Sequence, residues 1–232
     1  MTADDQRAAP ASIGEADRAR FQNLASGYLA DLQGALSGLD LDAILRIVER
    51  LRIARDAGRT IFIAGNGGSA ATASHWVNDL AKATKRSGRR AIRVIGLVDN
   101  VSWLTALAND EGYDRVFSGQ LENFVEPGDV LAVISASGNS PNVLRAVDAA
   151  RASGAITVGF VGFDGGQLRE RVDECLWVPT PKGAYGVVES AHSVACDIVT
   201  TCLIGDTATD TATDVGTDVA TDSLTEPRPA VR

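Results

Sequence analysis

Two loops rich in small and polar residues have the composition of an anion-binding site. Residues 65–71 read Gly-Asn-Gly-Gly-Ser-Ala-Ala, and residues 135–141 read Ser-Ala-Ser-Gly-Asn-Ser-Pro. Glycine lets backbone N–H groups approach an anion closely, and the positive end of a following helix favours phosphate. Neither loop has the lysine of a P-loop or the glycine spacing of a dinucleotide site. Each loop alone also fits a tight turn, but the two together indicate a site for phosphate or a sugar phosphate.

Histidine and carboxylate side chains at helical spacing offer a second kind of chemistry. His75 and Asp79 lie one turn apart on the helix predicted after the first loop. Glu189, Ser193 and Asp197 are spaced in the same way on the last predicted helix. An isolated His–Asp pair on a helix is commonly a structural hydrogen bond. A helix that begins at a phosphate-like loop favours a functional role instead.

The elements that must position these residues follow from apolar patterning. Five short apolar runs, each followed by a turn and a helical stretch, predict a parallel sheet covered on both faces. The runs are 60–64, 93–97, 130–135, 156–161 and 175–178. Helical spacing predicts two leading helices, 15–36 and 41–57, and a last helix over about 187–203. The predicted fold class is α/β, and ligands bind such sheets at the carboxyl ends of the strands.

The two ends of the chain differ from this body in composition. Residues 207–222 are a near four-residue repeat of Thr, Ala and Asp with almost no large apolar side chains. Such a segment cannot bury enough surface to offset the entropy of ordering. We therefore expect a disordered N-terminus over 1–13, one domain over 14–205 and a disordered acidic tail over 206–232. The tail does not have glycine and glutamate at the positions that a calcium-binding EF-hand loop requires.

Charge and cysteine content exclude several classes of protein. The formal net charge is -8, which argues against a general nucleic-acid binder. The acidic, polar start is not the pattern of a secretory signal, so we expect neither a signal peptide nor a membrane span. Three cysteines without a C-x-x-C pair are typical of reduced thiols, so we expect a cytoplasmic protein.

Longer motifs support a family resemblance. After Gly65–Ala71, the sequence has Asp99-Asn100, then 108–113 (Ala-Asn-Asp-Glu-Gly-Tyr), 117–122 (Phe-Ser-Gly-Gln-Leu-Glu), 127–131 (Pro-Gly-Asp-Val-Leu) and 134–143 (Ile-Ser-Ala-Ser-Gly-Asn-Ser-Pro-Asn-Val). Over about residues 20–203 the chain resembles the sugar isomerase (SIS) family, in its phosphoheptose isomerase branch. The resemblance implies a five-stranded parallel sheet flanked by helices, and a homotetramer with active sites at subunit interfaces.

The resemblance also implies roles for individual residues. It implies that three serines of the second loop hold the phosphate: Ser135, Ser137 and Ser140. It implies substrate contacts for six others: Asn66, Gly67, Ser69, Asn109, Asp110 and Glu189. Ala136 replaces a threonine that is usual in the family.

The family's metal and proton-transfer positions are partly changed in this chain. The family's zinc ligands fall on His75, Asp79, Glu189 and Asp197, where it has His, Glu, Gln and His. One nitrogen and three oxygen donors still suit a divalent metal, manganese or magnesium better than zinc. Alternatively, the three acids work without a metal, because crowding of like charges keeps one of them protonated as an acid. The implied proton-transfer pair is Asp79 and Asp197. His192 is expected either to pack in the interior or to support the ligand residues from behind.

The function that this resemblance implies is isomerisation of an aldose and a ketose phosphate through an enediol, most like that of sedoheptulose 7-phosphate. Gly186 stands where the heptose branch tends to have Asp, so an isomerase of an eight-carbon ketose phosphate in an antibiotic-sugar pathway is an alternative. A non-catalytic relative that binds a partner protein and a sugar-phosphate sensor are further alternatives. The carboxylates favour catalysis over both, since a binding module has no evident need for them.

Overall fold

The computed structural model describes residues 13–207, so 1–12 and 208–232, most of the two segments expected to be disordered, lie outside the described residues. The helices are α1 (Glu15–Ser37), α2 (Leu41–Ala57), α3 (Gly68–Lys82), α4 (Val101–Asp110), α5 (Ser118–Phe124), α6 (Pro141–Ala152), α7 (Leu168–Arg171) and α8 (Tyr185–Gly205). The strands are β1 (Thr60–Gly65), β2 (Arg93–Gly96), β3 (Val130–Ser135), β4 (Ile156–Val161) and β5 (Glu174–Trp177).

The five strands form one parallel sheet in the order β2-β1-β3-β4-β5. The fold class predicted from the sequence is confirmed, and every predicted strand is present with ends that differ by at most one residue. In the register of β1 and β3, Gly65 pairs with Ile134. The two polar loops therefore leave the sheet side by side.

The strands bury both faces, as continuous apolar runs predict. In β1, Ile61 and Ile63 pack in one core with α2, α3 and α8, while Phe62 and Ala64 pack in the other with α4, α5 and α6. All four side chains are fully buried. The alternation follows from the two-residue period of a strand. Because α3 and α8 both pack in the first of these cores, they lie on the same face of the sheet.

The first helix packs less deeply than its apolar spacing predicts. α1 contains no buried residue, and Phe21, Leu24 and Leu29 are exposed. Only its C-terminal half, including Leu32 and Leu36, packs against the core. A large part of the apolar surface of α1 is therefore uncovered in the single chain.

The last helix has the length and apolar character of a membrane-spanning segment, with a mean hydropathy of 1.4. Half of that stretch is buried inside the fold, where α8 packs against α1, α2 and α3. This burial is typical of the core helix of a globular domain.

The end of α8 is tied to the domain by an ion-pair cluster. Asp206, which the sequence places in the tail, accepts hydrogen bonds from Arg55 and Arg89. The Arg55 side chain is 1% exposed and also pairs with Asp56. The hydrogen bond from Arg55 lowers the pKa of Asp206. Asp206 is thus a structural residue, because it neutralises a buried guanidinium.

We expect truncation after Thr207 to leave the melting temperature unchanged, and truncation after Gly205 to lower it. Losing one partner of a buried ion pair costs about 3–5 kcal/mol. Because Arg55 keeps Asp56, we expect a loss of about 2 kcal/mol, or roughly 4–8 °C in a domain of this size. Thermal unfolding of the two truncated chains and of Asp206→Asn measures the difference. Equal melting temperatures for both truncations would show that the cluster contributes nothing.

Candidate active site

A cavity of about 150 Å³ lies at the carboxyl ends of β1 and β3. Its lining residues come from the two polar loops and from the first turns of α8: Asn66, Ser69, Ile134, Ser135, Ala136, Ser137, Ser140, Tyr185 and Glu189. Five of the eight residues outside α8 that are predicted to bind phosphate or substrate therefore line this cavity: Asn66, Ser69, Ser135, Ser137 and Ser140. α3 and α6 begin at this cavity, and two helix N-termini favour an anion even without a cationic side chain.

The second loop, residues 135–141 (the serine loop), is shaped by a glycine that no other residue can replace easily. Gly138 has φ 62°, and a Cβ there would lie 2.1 Å from the Gly165 carbonyl oxygen. The Gly138 N–H donates to Ser135 Oγ at 3.2 Å, and the Asn139 N–H donates to Ser137 Oγ at 3.3 Å. Ser140 makes no side-chain cap hydrogen bond at the start of α6. The Ser140 hydroxyl is thus available to a ligand.

In the first loop, residues 65–71 (the glycine loop), a carboxylate lies against the start of α3. Gly67 is the N-cap residue with φ 55°, a conformation that favours glycine. A Cβ on Gly68 would lie 2.3 Å from Glu189 Oε2, so the Glu189 carboxylate sits directly against this backbone. Glu189 also supplies the charge of the cavity lining. Gly67 itself shapes the loop and is not among the lining residues.

An amide pair joins the first loop to the start of α6. Asn66 and Asn142 each donate from Nδ2 to the other's Oδ1 at 2.9 Å, and the Tyr113 hydroxyl donates to Asn66 Oδ1 at 3.1 Å. This pairing fixes the orientation of the Asn66 side chain. Asn109 and Asp110, also predicted to contact substrate, are exposed at the end of α4 and do not line the cavity.

A second cluster lies further along α3 and α8. One potential ligand atom from each of His75, Asp79 and Asp197 lies within 4.8 Å of the others. His75 Nε2 is 3.4 Å from Asp79 Oδ2. The buried thiol of Cys196 has a raised pKa, first because of burial and then because Asp197 and Asp79 lie nearby. Both acids therefore face the same region between the two helices.

Glu189 is separate from this cluster. α3 and α8 follow parallel strands on one face of the sheet, so they run in the same direction, and Glu189 precedes Asp197 by eight residues, about 12 Å along the helix. Within this chain the predicted four-residue set thus divides. His75, Asp79 and Asp197 form one group (the acid cluster). Glu189 lines the cavity beside the serine loop (the serine cavity).

The donors of the cluster fit a divalent metal. One imidazole and two carboxylates within 4.8 Å are compatible with a single ion, and the set is rich in oxygen, which suits manganese or magnesium. His75 and Asp197 are exposed and Asp79 is half-buried, so a ligand could reach the cluster from solvent.

His192 lies in the interior, which agrees with the first of its two expected roles. It is 0% exposed, and its ring meets Phe160 edge to face at 6.3 Å. Burial lowers the pKa of His192 to about 4, and the nearby Val161 carbonyl only partly opposes this shift. Its ring is therefore neutral at pH 7 and has a packing role.

The buried His192 predicts a loss of stability in mild acid. The pKa of His192 is about 6.5 in the unfolded chain and about 4 in the folded chain. The stability that depends on a neutral His192 is therefore fully present above pH 6.5 and is lost as the pH falls towards 4. The expected loss is about 3 kcal/mol. Denaturant unfolding between pH 4 and pH 7 measures it, and His192→Leu is expected to flatten this part of the profile. An equally steep profile in the variant would assign the loss to other groups.

Tyr185 is a lining residue that the sequence does not single out. It precedes Glu189 by four residues, so both side chains project from one face of α8 towards the serine loop. The sequence signal was this spacing, but the predicted start of the last helix at 187 left Tyr185 outside it.

Comparisons with known proteins agree with this architecture. The family model of the SIS domain matches residues 27–162. The chain is 42% identical to the phosphoheptose isomerase of Geobacter sp. (strain M21) over 171 residues, which cover 72% of this chain and 86% of that protein. A probable phosphoheptose isomerase of Thermoplasma acidophilum is 40% identical over 152 residues, covering 66% of this chain and 83% of that protein.

Solved structures lead to the same family. The phosphoheptose isomerase of Neisseria gonorrhoeae superposes with a TM-score of 0.72 at 29% identity, over 81% of this chain and 98% of that one. The match of the family model includes β1, β3 and the two loops that follow them. The chain belongs to the SIS-domain family, and within it the chain is similar to phosphoheptose isomerases.

Proposed function

We propose that this protein is an aldose–ketose isomerase that acts on a sugar phosphate, most like sedoheptulose 7-phosphate. The observation that carries the proposal is the placement of two sites along one helix pair: an anion cavity where α3 and α8 begin and an acid cluster further along both. Identities of 42% to a phosphoheptose isomerase and 40% to a probable one support the same substrate class.

The spacing of the two sites suits an extended substrate. Ser69 and Asp79 are ten residues apart on α3, a rise of about 15 Å. An open-chain sugar phosphate that binds its phosphate in the serine cavity would extend its other end, with the carbonyl, towards Asp79 and Asp197.

We assign proton transfer to Asp79 and Asp197. In the ketose-to-aldose direction, the Asp79 carboxylate removes a proton from C1 while Asp197 donates one to the oxygen on C2, giving an enediol. Asp79 then returns its proton to C2, and Asp197 recovers a proton from the oxygen on C1. The reaction is redox-neutral overall and moves one hydrogen between adjacent carbons.

Alternatively, the cluster would hold the divalent metal that the family resemblance implies, and Asp197 would then be a ligand rather than the acid. His75, Asp79 and Asp197 would be its ligands, and a bound ion polarises the substrate carbonyl. His75 then serves to hold the ion, and in its absence to orient Asp79 through their 3.4 Å contact.

The serine loop is expected to supply most of the phosphate affinity. Replacing Ser137 and Ser140 together by Ala should raise the Kd for the sugar phosphate at least tenfold, because two charge-assisted hydrogen bonds are lost at about 1.5 kcal/mol each. Isothermal titration calorimetry measures the change. Ser153→Ala, at the far end of α6, is the matched control and should have no effect. An unchanged Kd in the double variant would place the phosphate elsewhere.

Isomerase activity itself is tested by incubating the full chain with seven- and eight-carbon ketose phosphates and following the aldose by NMR. Conversion of the seven-carbon substrate supports the proposed function. Preference for the eight-carbon substrate would favour the alternative raised by Gly186. Binding without conversion of either would favour a sensor or a partner-binding protein.

We also propose a homotetramer in a reducing compartment, the cytoplasm. Three large apolar side chains of α1, Phe21, Leu24 and Leu29, are uncovered in the single chain and would be buried by other copies. All three cysteines are unpaired thiols, which suits a reducing environment. Light scattering measures the assembly, and a monodisperse monomer would contradict it.

A further inference from the structure

Tyr185 is the aromatic residue of the serine cavity. Its side chain is 53% exposed, and it projects beside Glu189 towards the serine loop. Most other lining residues are short or polar, and Ile134, the other large apolar one, is fully buried. Tyr185 therefore provides the accessible apolar surface of this cavity.

A strained residue holds the Tyr185 ring in place. Phe163 packs edge to face on Tyr185, with ring centroids 5.1 Å apart. Its φ of 47° makes Phe163 the one non-glycine residue with positive φ between residues 13 and 207. Such backbone strain persists only where the surroundings fix it. Here the Phe163 N–H donates to Thr180 Oγ1 at 3.4 Å, and its carbonyl accepts from Trp177 Nε1 at 3.0 Å.

The support extends one layer further. The Arg169 guanidinium lies 3.6 Å from the centre of the Trp177 ring, a stacked cation–π contact. Trp177 in turn donates to the Phe163 carbonyl. A continuous set of contacts thus connects the end of β5 with the wall of the cavity. A simple turn after β4 would not need an aromatic residue with positive φ, so the position of Phe163 requires another explanation.

We propose that Tyr185 is a specificity-determining residue, and that Phe163 is the positioning residue that holds its ring. The ring packs against the C–H groups of the sugar chain next to the phosphate, while the serines bind the phosphate itself. Burying apolar area adds affinity for a sugar phosphate and none for phosphate alone. This inference rests on the proposed function, because it assumes that the cavity takes a sugar phosphate.

Calorimetry with sedoheptulose 7-phosphate and with inorganic phosphate tests the assignment. Tyr185→Ala is expected to raise the Kd of the sugar phosphate about tenfold, or ~1.4 kcal/mol, and to leave that of inorganic phosphate within about twofold. Tyr185→Phe keeps the ring and should stay close to wild type for both ligands. An unchanged sugar phosphate Kd in Tyr185→Ala, or equal weakening of both ligands, would overturn the proposal.

A double-mutant cycle tests the positioning role. Phe163→Gly removes the ring and relieves the strained backbone, so the variant should fold. It is expected to weaken sugar phosphate binding severalfold in the wild-type background and not at all in Tyr185→Ala, because the two residues act together. Additive losses would overturn the role of Phe163. Phe124→Ala, from an edge-to-face pair with Trp103 on the other face of the sheet, is the control.

The same titrations separate this inference from the proposed function. If wild-type protein binds sedoheptulose 7-phosphate with the expected dependence on Tyr185 but does not isomerise any ketose phosphate, the isomerase proposal fails and the assignment of Tyr185 stands. If wild-type protein binds none of the sugar phosphates, both are overturned.

Discussion

Replacement of Asp79 by Asn is expected to lower kcat by at least about 100-fold, since a positioned general base contributes roughly 10²–10⁴ to a proton transfer. The Asn side chain keeps the size of Asp79 but cannot accept the proton from C1. Phosphate binding should change little, because Asp79 lies about 15 Å along α3 from Ser69. The expected signature is therefore a loss in kcat with a nearly unchanged Kd.

Hydrogen exchange at C1 of a ketose phosphate in D₂O measures this step directly. The matched control is Asp148→Asn, because Asp148 is an exposed acid on α6 that pairs with Arg171 far from the cluster. Wild-type exchange in Asp79→Asn would remove Asp79 from the mechanism. A parallel loss in Asp148→Asn would point to a general effect of charge.

The sequence predicts the fold and the serine cavity because both depend on short-range patterns. Five apolar runs identify the strands, and the loop after each strand must emerge at the same edge of a parallel sheet. Gly65 and Ile134 are neighbours in the sheet, so the two loops that follow them meet. Ser69 therefore lies close to the serine loop, and this proximity can be predicted from strand order alone, without the packing of the helices.

The sequence predicts contacts between helices less well. Asp79 and Asp197 meet because α3 and α8 pack in a particular register, which no spacing along either helix specifies. Glu189 shows the consequence, since it belongs to the serine cavity and not to the acid cluster. Tyr185 shares a helix face with Glu189, which spacing along the chain can reveal. Its ring contact with Phe163 joins residues distant in the chain, so local patterning could not reveal that contact.

Replacement of Asp197 distinguishes its two proposed roles, because Asn and His differ in their ability to donate a proton. Asp197→Asn removes an ionisable group close to Asp79, and we expect a loss of kcat of about 100-fold. Asp197→His restores the family's residue at this position, and an imidazole both exchanges protons near pH 7 and binds metals. We therefore expect this variant to keep substantial activity.

The two Asp197 variants also report on a metal. If the cluster holds an ion, Asp197→His replaces an oxygen donor by a nitrogen and should shift the preference from manganese towards zinc, which titration of metal-free protein with each ion measures. If the acids work without metal, neither ion binds and activity survives chelation. Full activity of Asp197→Asn in D₂O exchange would contradict both roles, and the acid would then have to come from another group.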